Sequence, residues 1–190
     1  SEEAMRLHGQ ALELMYNFEE ARASYKDCET RHRETPARYL LGLLNTRILQ
    51  RARLVGMKTS LVNEERLALD ASEPLRRYMA PAAEFQVKID QKLLATAQAC
   101  VVLADRNFKD AVSSADIAET GDPTEWLPPY LRGIAQLELK NPAEALKSLE
   151  SAARLAPAIA DIHAWTAAAL QALKRRVDAI NALSTALTIS

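Results

Sequence analysis

The groups in this 190-residue chain with reactive or metal-binding chemistry are three histidines, two cysteines and a set of neighbouring carboxylates. His8, His32 and His163 have no Cys, His or carboxylate at a ligand spacing such as H-x-x-x-H, the spacing that places two donors on one helical face. His8 and His163 fall within helical patterns and read as structural or surface residues. Cys28 and Cys100 stand far apart, make no disulfide framework and leave the redox compartment open. Glu19-Glu20 and Glu64-Glu65 are adjacent pairs, which a helix turns to different sides, so they read as solvated faces rather than shared acid–base machinery. No phosphate-cradling G-x-x-x-x-G-K-[ST], no G-x-G-x-x-G and no G-x-S-x-G is present. The groups do not converge, so neither catalysis nor a cofactor or metal is expected.

The elements that carry these residues are helices. Ala, Leu, Glu, Lys, Arg and Gln dominate, only five Gly and eight Pro are present, and β-branched residues never alternate with polar ones for long. With 48% apolar residues the chain can bury about 70% of its unfolded surface without a metal or disulfide. No stretch approaches the roughly 20 apolar residues of a membrane span, and a cytoplasmic location is favoured. Ser1 in first place leaves open that a preceding segment was removed. Twenty-four basic against 25 acidic residues give a net charge of −1, which argues against a surface that grips nucleic acid as a whole.

Shifted by 34 residues, the last hundred positions align on themselves. Pro123 meets Pro157. Ala145 meets Ala111 and Ala179, Leu146 meets Val112 and Ile180, and Leu149 meets Leu183. Between the two apolar stripes of each unit lies a polar turn. Asn141-Pro142-Ala143-Glu144-Ala145 offers an amide at the N-cap, proline at the first helical position and a carboxylate at the third. Asn107-Phe108-Lys109-Asp110-Ala111 and Asn17-Phe18-Glu19-Glu20-Ala21 repeat it. Arg175-Arg176-Val177-Asp178-Ala179 lacks the side-chain cap and is expected to fray. Twelve residues before each repeat alanine stands another small residue: Gly9, Ala99, Gly133 and Ala167. Small residues on facing ridges let two helices cross at the short end of the roughly 8–10 Å range.

Trp126, Tyr130, Gly133, Ala145, Leu149, Ala152 and Pro157 together resemble a tetratricopeptide repeat. The resemblance implies an all-α, right-handed solenoid of helix–turn–helix units, single in domain, with repeats at 2–35, 92–125, 126–159 and 160–190. It also implies a protein-interaction scaffold whose first helices line a concave face. Carried onto this sequence, that face comprises Leu93, Thr96, Cys100 and Leu103, then Leu127, Tyr130, Ile134 and Leu137, then Asp161, Ala164, Ala168 and Gln171. The Lys and Asn with which some members hold a partner's terminal carboxylate are replaced by Thr96/Cys100, Tyr130/Ile134 and Ala164/Ala168. The expected groove is apolar and suited to a partner's helix or extended segment.

Residues 36–91 break the period. The pattern there suggests helices over 37–57 and 60–71, a break from Pro74 to Pro81, and a long helix from Pro81 to about Ala104. One irregular repeat with elongated helices and a repeat plus an extra helix both fit. Residues 31–60 carry seven basic groups against Glu34, and Arg47, Arg51 and Arg53 form a basic patch. That patch would either contact nucleic acid, anionic membrane or an acidic partner, or pack beside the acidic first repeat and be neutralised by it. At the other end no polar helix covers Leu173, Ile180, Leu183 and Leu187, which implies a longer protein or a homo-oligomer. The reading is a non-catalytic scaffold for a protein or peptide, with nucleic acid and membrane not expected as partners. A regulatory domain acting through the basic segment, or an accessory domain of a larger enzyme, are the alternatives.

Overall fold

The computed structural model describes residues 1–32, 35–56, 61–85 and 90–189. Among the described residues the chain forms helices α1 (Glu2–Leu14), α2 (Phe18–His32), α3 (Thr35–Leu54), α4 (Leu61–Phe85), α5 (Gln91–Ala104), α6 (Phe108–Gly121), α7 (Leu127–Glu138), α8 (Pro142–Leu155), α9 (Ala160–Ala172) and α10 (Arg176–Ile189). None is long and apolar enough to cross a membrane. The contacts divide the chain into two compact units, Ser1–Ile89 and Asp90–Ser190.

In the second unit α5/α6, α7/α8 and α9/α10 are helical hairpins. Each hairpin packs its first helix on the second helix of the one before, α7 on α6 and α9 on α8. Asp90 caps α5 by accepting the Lys92 amide at 3.0 Å. Prolines occupy the first turns of α7 and α8, where a missing amide costs nothing.

The turn inside each hairpin is built differently from the sequence expectation. The side chains of Asn107 and Asn141 make no cap to the backbone. Instead the residue before each turn adopts a left-handed conformation: Tyr16, Arg106, Lys140 and Lys174, with φ of 57, 63, 65 and 62°. The next amide then reaches back to close the first helix, Asn17 to Leu12, Asn107 to Val102, Asn141 to Gln136 and Arg175 to Leu170, all at 2.8–2.9 Å. The same residue's carbonyl opens the second helix by accepting from Ala21, Ala111, Ala145 and Ala179 at 3.0 Å. Arg175 therefore does what the asparagines do, and the last turn is built like the others. Its Nε even bonds Asp178 at 2.8 Å, as Asn107 Nδ2 bonds Asp110 at 2.5 Å.

The first unit holds two hairpins, α1/α2 and α3/α4, with α2 packed on α3. Leu12, Ala21, Tyr25, Leu41 and Leu44 form its core, with Phe18, Leu40 and Ile48 against them. The expected break at Pro74 to Pro81 is absent: α4 runs through both prolines and ends at Phe85, and α5 starts separately at Gln91. Residues 57, 60 and 86–89 of the expected helices lie outside the described residues. Along α4, Ala68, Ser72, Leu75 and Tyr78 form one buried row spanning Pro74. Burial of Leu75 and Tyr78, at roughly 1.5–3 kcal/mol each, offsets the roughly 3 kcal/mol penalty of an interior proline. Of the two arrangements left open by the sequence, the lengthened hairpin is the one formed.

Close helix crossings recur in both units. A Cβ on Gly133 would stand 2.6 Å from Leu149 Cγ and 3.2 Å from the Ala145 carbonyl oxygen. Gly9 meets the Tyr25 ring and Gly42 meets Leu75 in the same way. Gly133→Val should therefore lower stability by about 1–3 kcal/mol through overpacking, read as a reduced urea midpoint. An unchanged midpoint would show that the crossing tolerates a larger side chain.

Candidate interaction surface

The structure distributes the twelve residues of the expected groove unevenly. Thr96, Cys100, Leu103, Leu127, Tyr130, Ile134 and Asp161 are buried, Leu137, Ala164 and Ala168 are half-buried, and Leu93 and Gln171 are exposed. The first helices of successive hairpins pack side by side, α7 between α5 and α9, which narrows the space between their rows. The Trp126 ring also stands edge-on to Tyr130 at 5.6 Å. Seven of the twelve are therefore buried rather than open to a partner. Ile134, only 1% exposed, is a core residue, and a charged substitution there would report on folding rather than binding.

The basic segment is answered inside the first unit. Arg47 on α3 holds Glu13 on α1 at 2.9 Å, and the other Glu13 oxygen accepts the Tyr25 hydroxyl of α2 at 2.5 Å. Arg51 lies over the Phe18 and Tyr16 rings, at 4.9 and 5.6 Å from their centroids. Arg53 pairs with Glu64 at 2.6 Å, and Arg38 with Glu29 at 2.8 Å. Burial pushes the Glu13 carboxyl above its ordinary value, against the opposing pull of the Tyr25 hydroxyl and the Arg47 charge. The segment's Arg33 and Lys58 lie outside the described residues.

Polar side chains also cluster where α6, α7 and α8 meet. Arg132 is held by Asp116 at 2.8 Å and by Glu119, and its Nε donates to Ser148 Oγ at 3.0 Å. Ser148 in turn donates to Gln136 Oε1 at 2.7 Å. With two carboxylates on one guanidinium, the cluster fastens three helices. Among the described residues no group of three or more His, Cys, Asp or Glu is placed to hold a metal ion.

Apolar side chains do reach solvent on α10. Ile180 is 65% exposed, whereas Leu146, one period earlier on α8, is 8% exposed. Leu183 is 48% exposed and its counterpart Leu149 is fully buried. Val177 and Leu187 extend the exposed row. Beside it lies an open depression of about 870 Å³ lined by Gln171, Lys174, Arg176, Ala179, Ile180 and Leu183. Of the residues that the sequence leaves uncovered, Ile180, Leu183 and Leu187 are exposed and Leu173 is half-buried.

No protein-family model and no curated protein matches this chain. Solved structures do resemble it. A thermophilic tetratricopeptide-repeat protein of Thermus thermophilus superposes with a TM-score of 0.65 at 16% identity, over 100% of this chain and 92% of that one. The chain has the tetratricopeptide-repeat fold. MamA of Desulfovibrio magneticus RS-1, from residue 41 to its end, is similar with a TM-score of 0.52 at 13% identity, over 99% of this chain and 94% of that one. At these identities the likeness concerns the fold. Within this arrangement, the Glu13–Tyr25–Arg47 linkage joins α1, α2 and α3.

That linkage gives a test. Arg47→Ala would leave the Glu13 carboxylate buried without its cation and should destabilise the fold by about 3–5 kcal/mol. The pH dependence follows from the raised Glu13 pKa. The folded form holds its proton to higher pH than the unfolded form, so this group's contribution is full below the ordinary glutamate range and is lost as pH rises through the raised value. Glu13→Gln should remove that downward slope in urea denaturation across a pH series. The same slope in the variant would assign it to another group.

Proposed function

We propose that the protein is a non-catalytic interaction scaffold that receives an amphipathic helix of a protein partner along the outer face of α10. The observation that carries this is the 65% exposure of Ile180 at the register where Leu146 is buried. In α8 the corresponding second helix is packed by a following first helix, α9. The surface on α10 therefore has the shape and chemistry of a helix seat, with an apolar row for the partner's stripe and Lys174 and Arg176 at its rim. The half-buried Ala164 and Ala168, with Gln171, extend the reachable part of the row on α9. Engagement of Arg47, Arg51 and Arg53 within the first unit speaks against the alternative of nucleic acid or anionic membrane as ligand.

The probe is a synthetic helical peptide with leucines at i, i+3, i+7 and i+10, followed by fluorescence anisotropy beside a control with serines at those positions. The wild type should bind the leucine peptide and not the control. Ile180→Glu should weaken binding by about tenfold or more, since it replaces roughly 1.5–3 kcal/mol of apolar burial with a charge to be desolvated. Equal binding by wild type and Ile180→Glu, both with intact helical circular dichroism, would remove α10 as the seat.

A further inference from the structure

We infer that the helix seated on α10 is α1 of a second copy of this chain, so that the protein associates head to tail. The inference rests on the helix-seat reading above and names its occupant. Helix α1 carries two apolar rows. Gly9 and Leu12 are buried in the first unit, Gly9 against Tyr25. Ala4, Leu7, Ala11 and Leu14 form a second row at i, i+3, i+7 and i+10, and all four are exposed. Leu7 is 58% exposed.

The left-handed residue of each hairpin turn fixes the register, and with it what this second row corresponds to. Leu7 and Ala11 stand nine and five residues before Tyr16. At the same distances before Lys140 stand Leu131 and Ala135, and before Lys174 stand Trp165 and Ala169. Those four are buried, on the helices α7 and α9 that pack against α6 and α8. So α1 presents to solvent the row that α7 and α9, each packed on a preceding second helix, bury. Helix α10 exposes at Ile180 the position that α8, packed by a following first helix, buries at Leu146. Each copy carries both halves of one interface, and joining them continues the α8–α9 packing already present in the chain.

Charge agrees with this pairing. Residues 1–30 carry three basic and seven acidic groups, a net of −4, and residues 171–190 carry three basic and one acidic, a net of +2. In the continued register the start of the second copy's α2, with exposed Glu19 and Glu20, comes to the side where α10 starts with Lys174 and Arg176. The two patches differ, so the contact is heterologous.

Sedimentation of the whole chain over a wide concentration range, with Leu7→Glu, Ile180→Glu and their equimolar mixture, tests this. The wild-type mass should rise above the monomer with concentration and fall with added salt. Each variant alone should associate about tenfold or more weakly. The mixture should recover association but stop at a pair, because only the α10 of Leu7→Glu and the α1 of Ile180→Glu remain intact. Leu14→Glu and Leu187→Glu, both at exposed positions, repeat the design should either variant lose its helical circular dichroism. Undiminished association of Leu7→Glu, or a mixture without pairs, overturns the inference. A wild type that stays monomeric yet binds the leucine-stripe peptide through Ile180 overturns self-association and leaves the helix seat standing. Neither association nor peptide binding overturns both.

Discussion

The close approach of two helices at a residue without a bulky side chain is the constraint from which the rest follows. At Gly9 and Gly133 the partner side chain sixteen residues on, Tyr25 or Leu149, fills the space that a Cβ would take. That contact sets how near the two helices lie, and so where the chain must reverse. The reversal comes seven residues after the glycine, at Tyr16 and Lys140. Non-glycine residues in the left-handed region cost about 1–2 kcal/mol each. Four hairpins accept that cost at one fixed position, which indicates that the crossing, not the turn, dictates the geometry. One residue then serves both helices, its amide ending the first and its carbonyl beginning the second.

The irregular hairpin obeys the same constraint with longer arms. Gly42 crosses against Leu75, and Gly56, with φ of 70°, stands fourteen residues beyond the crossing instead of seven. The difference is about two helical turns, which keeps the same face inward. This is why the 34-residue period fails in residues 36–91 while a glycine crossing is kept there. Twelve residues after Gly42 stands Leu54, not a small residue. The partner of Gly42 could not be found twelve residues on, because in a lengthened hairpin the partner lies far beyond.

What was legible follows from which interactions are local. The helices, the repeat and the small-residue crossings could be read because each leaves a mark at fixed short spacing. The left-handed turn residues could not, since Tyr16, Arg106, Lys140 and Lys174 share a backbone state and no side-chain chemistry. Proline at 74 read as a stop, yet the buried row on either side of it was long enough to hold the helix through. The fate of the arginines was equally hidden. Arg47 meets a carboxylate 34 residues away on a helix that only the fold brings near, and Arg51 is received by aromatic rings rather than by an acid. Of the groove rows, the positions were assignable, but whether a side chain there lies open depends on how tightly neighbouring first helices pack.

The interior and the exposed apolar rows follow one rule of pairing. A first helix in this fold has two apolar rows, one for its own partner and one for the hairpin before it. A second helix likewise has one row for its partner and one for the hairpin after it. Within the second unit these rows satisfy each other at α6–α7 and α8–α9. On α1 and α10 one row of each kind is left in water, and large apolar side chains such as Leu7, Leu14, Ile180 and Leu187 stand there. Scattered single apolar residues on a surface need no explanation, but rows at helical spacing do. The side chains left in water on α1 and α10 are thus of the same kind as those that pack one hairpin on the next inside the second unit.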